Sequence, residues 1–404
     1  MKLKNSHSIL RFWQHHTDTK VNLCAVDPKA PRREEKLILK DAQPFFYNRK
    51  IDMCKASVSI VYIRITGQDK RNINKIINEY LAFSEELLHI NVDPRRVGSL
   101  QDTALYLFES LSQKFPKATV QEGNWLHYAH RGGLMWCKNG FQGKTWKYDF
   151  TSFYPSLCNS DLLFPTGRAV KCFLDVKEIL DLDIPAIYRV KMPEHGHFLL
   201  KLKPIDKISQ DFVYATNLDL LSARNLSVPF ELVEHDGKWP NCLQFEEVSE
   251  GKKVFGKYVD KLFPLKKKGI SSGKQMLNVL TGLLVQKEKI HPAKDEVIDI
   301  TDLLVKSMTP DGITFLSPKK HIFRHTDKAR LGIFITAHGR RHMIKYFLDH
   351  NAMDSLVRVH TDGFLLTSPL PDECTVNSHE LGGLKLEAVE DVYIKNMRKP
   401  EVIA

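Results

Sequence analysis

The sequence predicts a mixed α+β fold with a small α/β region at its N-terminal end. Two segments before residue 125 carry apolar residues at helical spacing, and Val58 to Ile65 alternates as a strand does. After Trp125, short apolar strands and turn glycines are interleaved with long helical stretches and lysine clusters. With 404 residues, 43% of them hydrophobic, the chain can bury a substantial core and form two or three domains. We therefore expect an N-terminal region over 1–125 and a main region over 126–404.

The N-terminal region is expected to begin with an irregular or partly ordered arm over residues 1–45, because no sustained period is present there. A strand follows over Val58 to Ile65. Apolar spacing predicts one amphipathic helix between Asn72 and Ile90 and a second over Leu100 to Leu111. Neither helix carries an obvious catalytic or binding residue, and we expect each to pack its apolar face into the core.

The charge balance is basic, with 59 Lys+Arg against 48 Asp+Glu and a net charge of +11. Such an excess points to a polyanionic partner, although a solvated surplus of lysine explains it about as well. No apolar run of about 18 residues is present, so we expect no membrane span. Seven scattered cysteines form no CxxC pair, which argues against a disulfide framework and a zinc ribbon and favours a reducing, intracellular compartment.

The first chemical segment is WKYDFTSFYPSL, residues 146–157. We expect an aromatic-flanked strand that delivers Asp149 and then turns at Tyr154 and Pro155, since proline ends a strand. A carboxylate at a strand end is a good ligand for a divalent cation. Taken alone, such an aspartate is more often a turn former or a helix cap.

The second chemical segment is LVRVHTDGFLLT, residues 356–367, which predicts a hairpin. Two apolar arms flank a turn from His360 to Gly363, and Asp-Gly is a strong hairpin signal. The hairpin is structural unless its tip places Asp362 beside Asp149. Two carboxylates on adjacent strand ends can hold two hard cations about 3.5–4 Å apart, as two-metal phosphoryl transfer requires.

The third chemical segment is LKKKGISSGKQMLNVLTGLLVQ, residues 265–286. Helical spacing puts Lys274 and Asn278 on one face, with Thr281 and Gly282 one turn further. A lysine, an amide, a hydroxyl and a glycine along one stripe can bind phosphates and allow a duplex to approach. The alternative is a solvated lysine face.

In this order, the three segments resemble motifs A, B and C of family B DNA polymerases. DFTSFYPSL resembles DxxSLYPS, KQMLNVLTG resembles KxxxNSxYG, and VHTDG resembles YxDTDS. HRGGLMW, residues 130–136, resembles the YxGG segment of the protein-primed subgroup found in small phages, adenovirus-like viruses and linear organellar plasmids. LGIFITAHGR, residues 331–340, resembles the helix that leads into motif C. The resemblance implies a polymerase palm-and-fingers core with insertions between the motifs.

The resemblance also implies roles for individual residues. Asp149 and Asp362 would be the catalytic carboxylates, binding two Mg²⁺ (or Mn²⁺) ions with the backbone carbonyl of Phe150 as a further ligand. Tyr154 would stack under the incoming sugar and exclude a 2′-hydroxyl. The remaining nucleotide-binding residues would be Lys274, Asn278 and one of Lys266, Lys267 or Lys268. The DNA-binding residues would be Arg131, Gly132, Gly133, Thr281, Gly282 and Lys399.

The implied partners are primer-template DNA, dNTPs and a terminal protein, and the implied setting is a mitochondrion carrying a linear plasmid or a virus-infected cell. Some positions depart from the family pattern. His360 stands where the family has the first aspartate of DTD, and Thr281 stands where motif B has a tyrosine. Glu401 takes the place of the tyrosine in the family's primer-binding KxY motif, and His130 takes the place of the tyrosine in YxGG. No DxE pair of a proofreading exonuclease is apparent, and 42 residues after Asp362 leave little thumb. The alternative function is accordingly a weak or inactive polymerase relative that binds DNA.

Overall fold

The computed structural model describes the protein in part. The described residues are 10–14, 20–25, 46–53, 56–66, 100–175, 179, 181–193, 196–200, 202, 212–288, 304–309, 312–316, 322–397 and 400–403. Two compact units divide the chain. One comprises Met1–Ser112 and Lys257–Leu280, and the other comprises Gln113–Gly256 and Thr281–Ala404. The expected division at residue 125 stays a prediction.

The first unit contains a four-stranded antiparallel sheet in the order β1-β2-β4-β3. Its strands are β1 (Leu10–Gln14), β2 (Lys20–Ala25), β3 (Phe46–Met53) and β4 (Ala56–Thr66). The predicted strand at Val58 is confirmed within β4. Of the two alternatives expected for residues 1–45, an irregular arm is wrong, because β1 and β2 lie there, whereas a partly ordered arm is not contradicted. β1 pairs with β2, and β2 pairs with β4 in a long-range ladder that local periodicity does not reveal.

The predicted helix from Leu100 is confirmed as α1 (Leu100–Leu111). Its buried residues recur at helical spacing, as the amphipathic pattern required. The other predicted helix, between Asn72 and Ile90, lies outside the described residues.

A six-stranded antiparallel sheet dominates the second unit, in the order β19-β18-β6-β17-β16-β5. Its strands are β5 (Met135–Cys137), β6 (Phe141–Phe150), β16 (Leu356–His360), β17 (Gly363–Leu366), β18 (Leu384–Ile394) and β19 (Glu401–Val402). The predicted hairpin is confirmed, because β16 and β17 pair around Thr361 and Asp362.

A five-stranded sheet in the order β10-β9-β12-β8, with β11 beside β9, lies between β6 and the later helices in sequence. Two two-stranded sheets, the long-range pair of β7 with β13 and the hairpin of β14 with β15, complete the described strands. The bounds are β7 (Leu163–Pro165), β8 (Ala169–Cys172), β9 (Ala186–Lys191), β10 (Val213–Thr216), β11 (Glu231–Leu232), β12 (Cys242–Phe245), β13 (Val248–Glu250), β14 (Leu304–Thr309) and β15 (Gly312–Leu316).

Six further helices are described: α2 (Val120–Ala129), α3 (Phe153–Cys158), α4 (Asn217–Asn225), α5 (Gly251–Lys267), α6 (Ser271–Leu284) and α7 (Ala329–Asp349). The predicted helical segment Leu331 to Arg340 is confirmed within α7. Within the described part of the chain, no helix is both long enough and apolar enough to cross a bilayer.

The two faces of the six-stranded sheet are covered differently: α7 packs on one face, and a second buried cluster that contains Leu365, Val392 and Ile394 lies on the other. Tyr148 and Phe150 of β6 and Phe364 of β17 are buried in one core with Met343 and Phe347 of α7. Because side chains alternate across a strand, Asp149 points away from this core. Asp149 is half-buried at the end of β6, on the face opposite α7, where polar chemistry can take place.

Candidate functional site

The two predicted metal-binding aspartates lie close together, Asp149 on β6 and Asp362 in the turn that leads into the neighbouring β17. Asp149 is opposite Gly363 in the pairing of β6 with β17, and Asp362 is the residue before Gly363. The Phe150 backbone N–H donates to the carbonyl of Asp362 at 3.1 Å. The hairpin tip therefore lies beside the end of β6, and both aspartates are half-buried.

The hairpin turn determines this placement. Thr361 adopts a left-handed φ of 64°, and its N–H donates to the Leu134 carbonyl at 2.7 Å. Gly363 provides space, because a Cβ there would lie 3.0 Å from Oδ1 of Asp149. The Asp149 carboxylate thus lies over the glycine of the neighbouring strand.

Tyr154 lies in a helix rather than in a turn. The expectation that Pro155 ends the strand is wrong, because β6 ends at Phe150 and α3 begins at Phe153 after a left-handed Ser152 (φ 53°). Proline is tolerated in the first turn of a helix, where its missing N–H has no intrahelical acceptor. Burial, the largest cause, raises the pKa of Tyr154 to about 12, so its hydroxyl stays protonated and can donate a hydrogen bond.

The Tyr154 side chain is enclosed by glycines. A Cβ on Gly133 would lie 2.7 Å from the Tyr154 hydroxyl and 2.9 Å from the Thr361 side chain. A Cβ on Gly339 of α7 would lie 2.9 Å from the tyrosine ring. The structure therefore brings Gly133 to the same place as Tyr154 and the hairpin tip, whereas Gly132 is exposed with no atom near its Cβ position.

Arg340 of α7 holds the loop that contains Arg131, Gly132 and Gly133. Its Nη1 donates to the carbonyls of Arg131 at 2.9 Å and Gly132 at 2.8 Å. Its Nε and Nη2 donate to the two carboxylate oxygens of Asp219 at 2.9 and 3.0 Å. Sequence reasoning assigned no role to Arg340 or Asp219. The only local signal is the Thr216 to Asp219 capping box at the start of α4.

His127, near the end of α2, and His130, which follows that helix, are kept neutral by their surroundings. Burial, the largest cause, lowers the pKa of His130 to about 3 and that of His127 to about 4, and the cations Lys287 and Arg131 add to both effects. The Lys287 ammonium lies 2.9 Å from Nδ1 of His127. Burial also lowers the pKa of Arg131, whose guanidinium donates to the Tyr128 and His130 carbonyls.

The predicted phosphate-binding residues lie on α5 and α6. Lys274 and Asn278 are exposed on α6, one turn apart, while Met276 and Leu277 are buried. The predicted shared face is thus confirmed. The ammonium groups of Lys266 and Lys267 lie 5.9 and 5.2 Å from the Phe263 ring, near the end of α5, and Lys268 is exposed after it.

Thr281 and Gly282 lie in the last turn of α6, where Thr281 is half-buried and Gly282 is exposed. The Gly282 Cβ position has no atom within 4 Å, so the backbone is open to a close approach there. Lys399 lies outside the described residues.

The donor set at the hairpin tip fits a hard divalent cation. Asp149 and Asp362 offer carboxylate oxygens and the adjoining backbone offers carbonyl oxygens. No group of three or more His, Cys, Asp or Glu side chains that could hold a metal occurs among the described residues. Mg²⁺ is commonly bound through one or two carboxylates and substrate phosphates rather than an all-protein cage. Two carboxylates are therefore sufficient protein ligands for such an ion.

No protein-family model and no curated protein matches the chain. Its fold is similar to that of Phi29 DNA polymerase, in the orthorhombic crystal form with a TM-score of 0.54 and 18% identity over 75% of this chain. A structure of that enzyme with primer-template DNA and incoming nucleotides has the same score and identity, and a post-translocation binary complex with primer-template DNA scores 0.53 at 20% identity. The match spans 53–55% of those chains, little more than half their length. The mixed helix-and-sheet architecture of this chain is thus polymerase-like.

Proposed function

We propose that the protein is a template-directed DNA polymerase of the protein-primed family B type, with a palm-and-fingers core. The observation that carries the proposal is the pairing of Asp149 with Gly363, which brings Asp149 of β6 next to the turn that contains Asp362. The likeness to Phi29 DNA polymerase supports it at the level of fold. The six-stranded sheet with α7 would be the palm, and α5 with α6 the fingers.

The reaction is attack of a primer 3′-hydroxyl, or a terminal-protein hydroxyl, on the α-phosphate of a dNTP. A new P–O ester bond forms, the bond to pyrophosphate breaks, and the hydroxyl proton is released. Two Mg²⁺ ions bound at Asp149 and Asp362 would lower the pKa of the hydroxyl and stabilise the leaving pyrophosphate.

The chain's own residues bind and orient the reactants in this proposal. Tyr154, a neutral hydroxyl donor, would contact the sugar of the incoming nucleotide. Lys274 and one of Lys266, Lys267 or Lys268 would bind the triphosphate as point charges. Arg131, Gly132 and Gly133 would follow the template, since backbone N–H groups of glycine can approach phosphates closely.

Replacement of either aspartate tests the assignment. Asp149→Asn and Asp362→Asn each remove a charged ligand, and we expect Mg²⁺-dependent dNTP incorporation to fall by roughly 10²-fold or more, because metal-ion stabilisation of a phosphoryl-transfer transition state is worth several kcal/mol. Asp391→Asn, an exposed carboxylate on β18, is the matched control. Incorporation that survives in either site variant contradicts the site.

The rival function, a polymerase relative that binds DNA without efficient synthesis, rests on His360. This exposed residue stands two positions before Asp362, where the family has an aspartate. Imidazole is a poorer ligand for Mg²⁺ than a carboxylate. Primer extension by the wild-type protein, with DNA binding measured in parallel, separates the two functions, and a gain in incorporation by His360→Asp supports the rival. The terminal protein, the cellular setting and the lack of a proofreading site stay predictions.

A further inference from the structure

Lys385 lies directly beside the candidate catalytic carboxylate. In the pairing of β18 with β6, Lys385 is opposite Asp149, and on the other side of Asp149 stand Gly363 and then His360. Directly opposite residues of an antiparallel sheet project from the same face, with Cβ atoms about 5 Å apart. Lys385, Asp149 and His360 therefore share one row on the face opposite α7, while Leu384 and Phe150 form the buried pair next to it.

Among the described residues, no ion pair partner is found for Lys385. Two residues away, Glu387 forms an ion pair with Lys147 of β6 at 2.7 Å. Lys385 itself is exposed, and its ammonium is within 4 Å of no carboxylate among the residues that the structure describes. The sheet thus neutralises one lysine of this face and leaves the one beside Asp149 available.

The Lys385 ammonium would repel a divalent cation bound at Asp149 unless an anion lies between the two. A cation bound at Asp149 and the Lys385 ammonium are like charges a few ångströms apart, and their repulsion is relieved when a phosphate lies between them. Lysine binds phosphate as a flexible point charge, and its four-carbon stem reaches past its own strand.

We propose that Lys385 binds a phosphate group of the substrate at the β18 side of Asp149. The inference rests on the proposed polymerase function and adds to it a residue that the sequence motifs do not contain. The phosphate belongs either to the polynucleotide or to the incoming nucleoside triphosphate. Both sources present the same chemistry to the ammonium.

The test compares Lys385→Ala with Lys385→Arg and with Lys138→Ala. Lys138 is an exposed lysine in the turn before β6, so its loss changes the net charge equally. Binding of labelled primer–template DNA is measured by fluorescence anisotropy at several salt concentrations. Binding of dTTP with Mn²⁺ is measured by calorimetry, and thermal unfolding checks the fold of each variant.

If Lys385 binds a phosphate of the polynucleotide, we expect Lys385→Ala to weaken DNA binding roughly three- to tenfold and to lower the salt slope by about 1, while Lys385→Arg retains the affinity and the slope. If Lys385 instead binds the triphosphate of the incoming nucleotide, we expect Lys385→Ala to weaken dTTP binding and to leave DNA binding unchanged. If both affinities in Lys385→Ala equal those of Lys138→Ala while the wild type binds DNA and dTTP, Lys385 has no such role. A wild-type protein that binds neither DNA nor dTTP overturns the proposed function itself.

Discussion

At the scale of single residues, two adjacent glycines in the loop before β5 have different surroundings. Gly133 touches the Tyr154 hydroxyl and the Thr361 side chain, whereas its neighbour Gly132 faces open space. Neither has a positive φ, so the difference is one of space and not of backbone strain. Gly133 therefore determines how closely the loop, the tyrosine and the hairpin tip can approach one another.

Gly133→Ala is expected to move Tyr154 or the hairpin turn, because the new methyl would lie 2.7 Å from the tyrosine hydroxyl. Overpacking of this kind costs about 1–3 kcal/mol of the free energy of unfolding. We also expect nucleotide incorporation to fall, since Tyr154 and Asp362 lose their relative position. Urea unfolding and a primer-extension assay measure the two effects.

Gly132→Ala is the matched control, and it should leave the free energy of unfolding within about 0.5 kcal/mol of wild type. Tyr154→Phe in the Gly133→Ala background removes the clashing oxygen and should restore part of the lost stability. Equal stability of the two alanine variants would show that the loop shifts freely.

At the scale of elements, α7 joins the parts of the second unit through two buried arginines. Arg330 is fully buried and binds Glu122 of α2 at 2.7 Å, and Arg340 binds Asp219 of α4. The same helix packs Met343 and Phe347 beneath the six-stranded sheet. One helix thus positions α2, α4, the glycine loop and the sheet.

Arg340→Met tests this role. It leaves the buried Asp219 charge and two backbone carbonyls without their donor, and loss of one partner of a buried pair costs about 3–5 kcal/mol. We expect a matching fall in the urea unfolding midpoint. Lys345→Met removes an exposed ion pair with Asp349 on the same helix and should change stability by less than about 0.5 kcal/mol.

Asp219→Asn is a milder change, because it keeps the shape of the acceptor. We expect its urea unfolding midpoint to lie between those of Arg340→Met and Lys345→Met. DNA binding by Asp219→Asn should weaken as well, because the carbonyls of Arg131 and Gly132 depend on the same guanidinium. A midpoint for Arg340→Met no lower than that for Lys345→Met would contradict the assigned role.

At the scale of the whole molecule, buried neutral histidines make stability depend on pH. Burial is the largest cause that lowers the pKa of both His127 and His338 to about 4, and His338 contacts the Leu163 carbonyl at 2.9 Å. The folded state therefore resists protonation of these rings, whereas the unfolded chain protonates them near 6.5. The contribution of these neutral histidines to the free energy of unfolding is complete above pH 6.5 and is lost as the pH falls towards 4.

Stability should accordingly decline between pH 6.5 and 4.5, by about 1.4 kcal/mol per pH unit for each such histidine. His338→Gln keeps a donor for the Leu163 carbonyl but does not titrate, so its slope should be smaller by about that amount. Urea unfolding of both proteins at half-unit intervals of pH measures the difference. Parallel slopes would mean that His338 is protonated in the folded state.

Elements with a strong local signal were predictable. Helix α1 has the predicted bounds, and the Asp-Gly turn correctly predicted the β16–β17 hairpin. The short helix α3 was not predicted, because a single proline after an aromatic strand is equally compatible with a turn and with the first turn of a helix. Strands β1 and β2 were missed for a different reason, since they are defined by pairing with each other and of β2 with β4, and not by their own period.

The candidate site divides in the same way. The sequence already shows which residues carry charge and hydroxyl chemistry. Local signals correctly placed Asp149 at a strand end, Asp362 in a hairpin turn, and Lys274 and Asn278 on one helix face, whereas Tyr154 was expected in a turn and lies in α3. Only the tertiary structure decided that Gly133 touches Tyr154, that Arg340 holds the loop through Asp219, and that Lys385 stands beside Asp149. Local periodicity reports the direction of a side chain within its own element, whereas these contacts depend on strand register and helix packing between residues far apart in the chain.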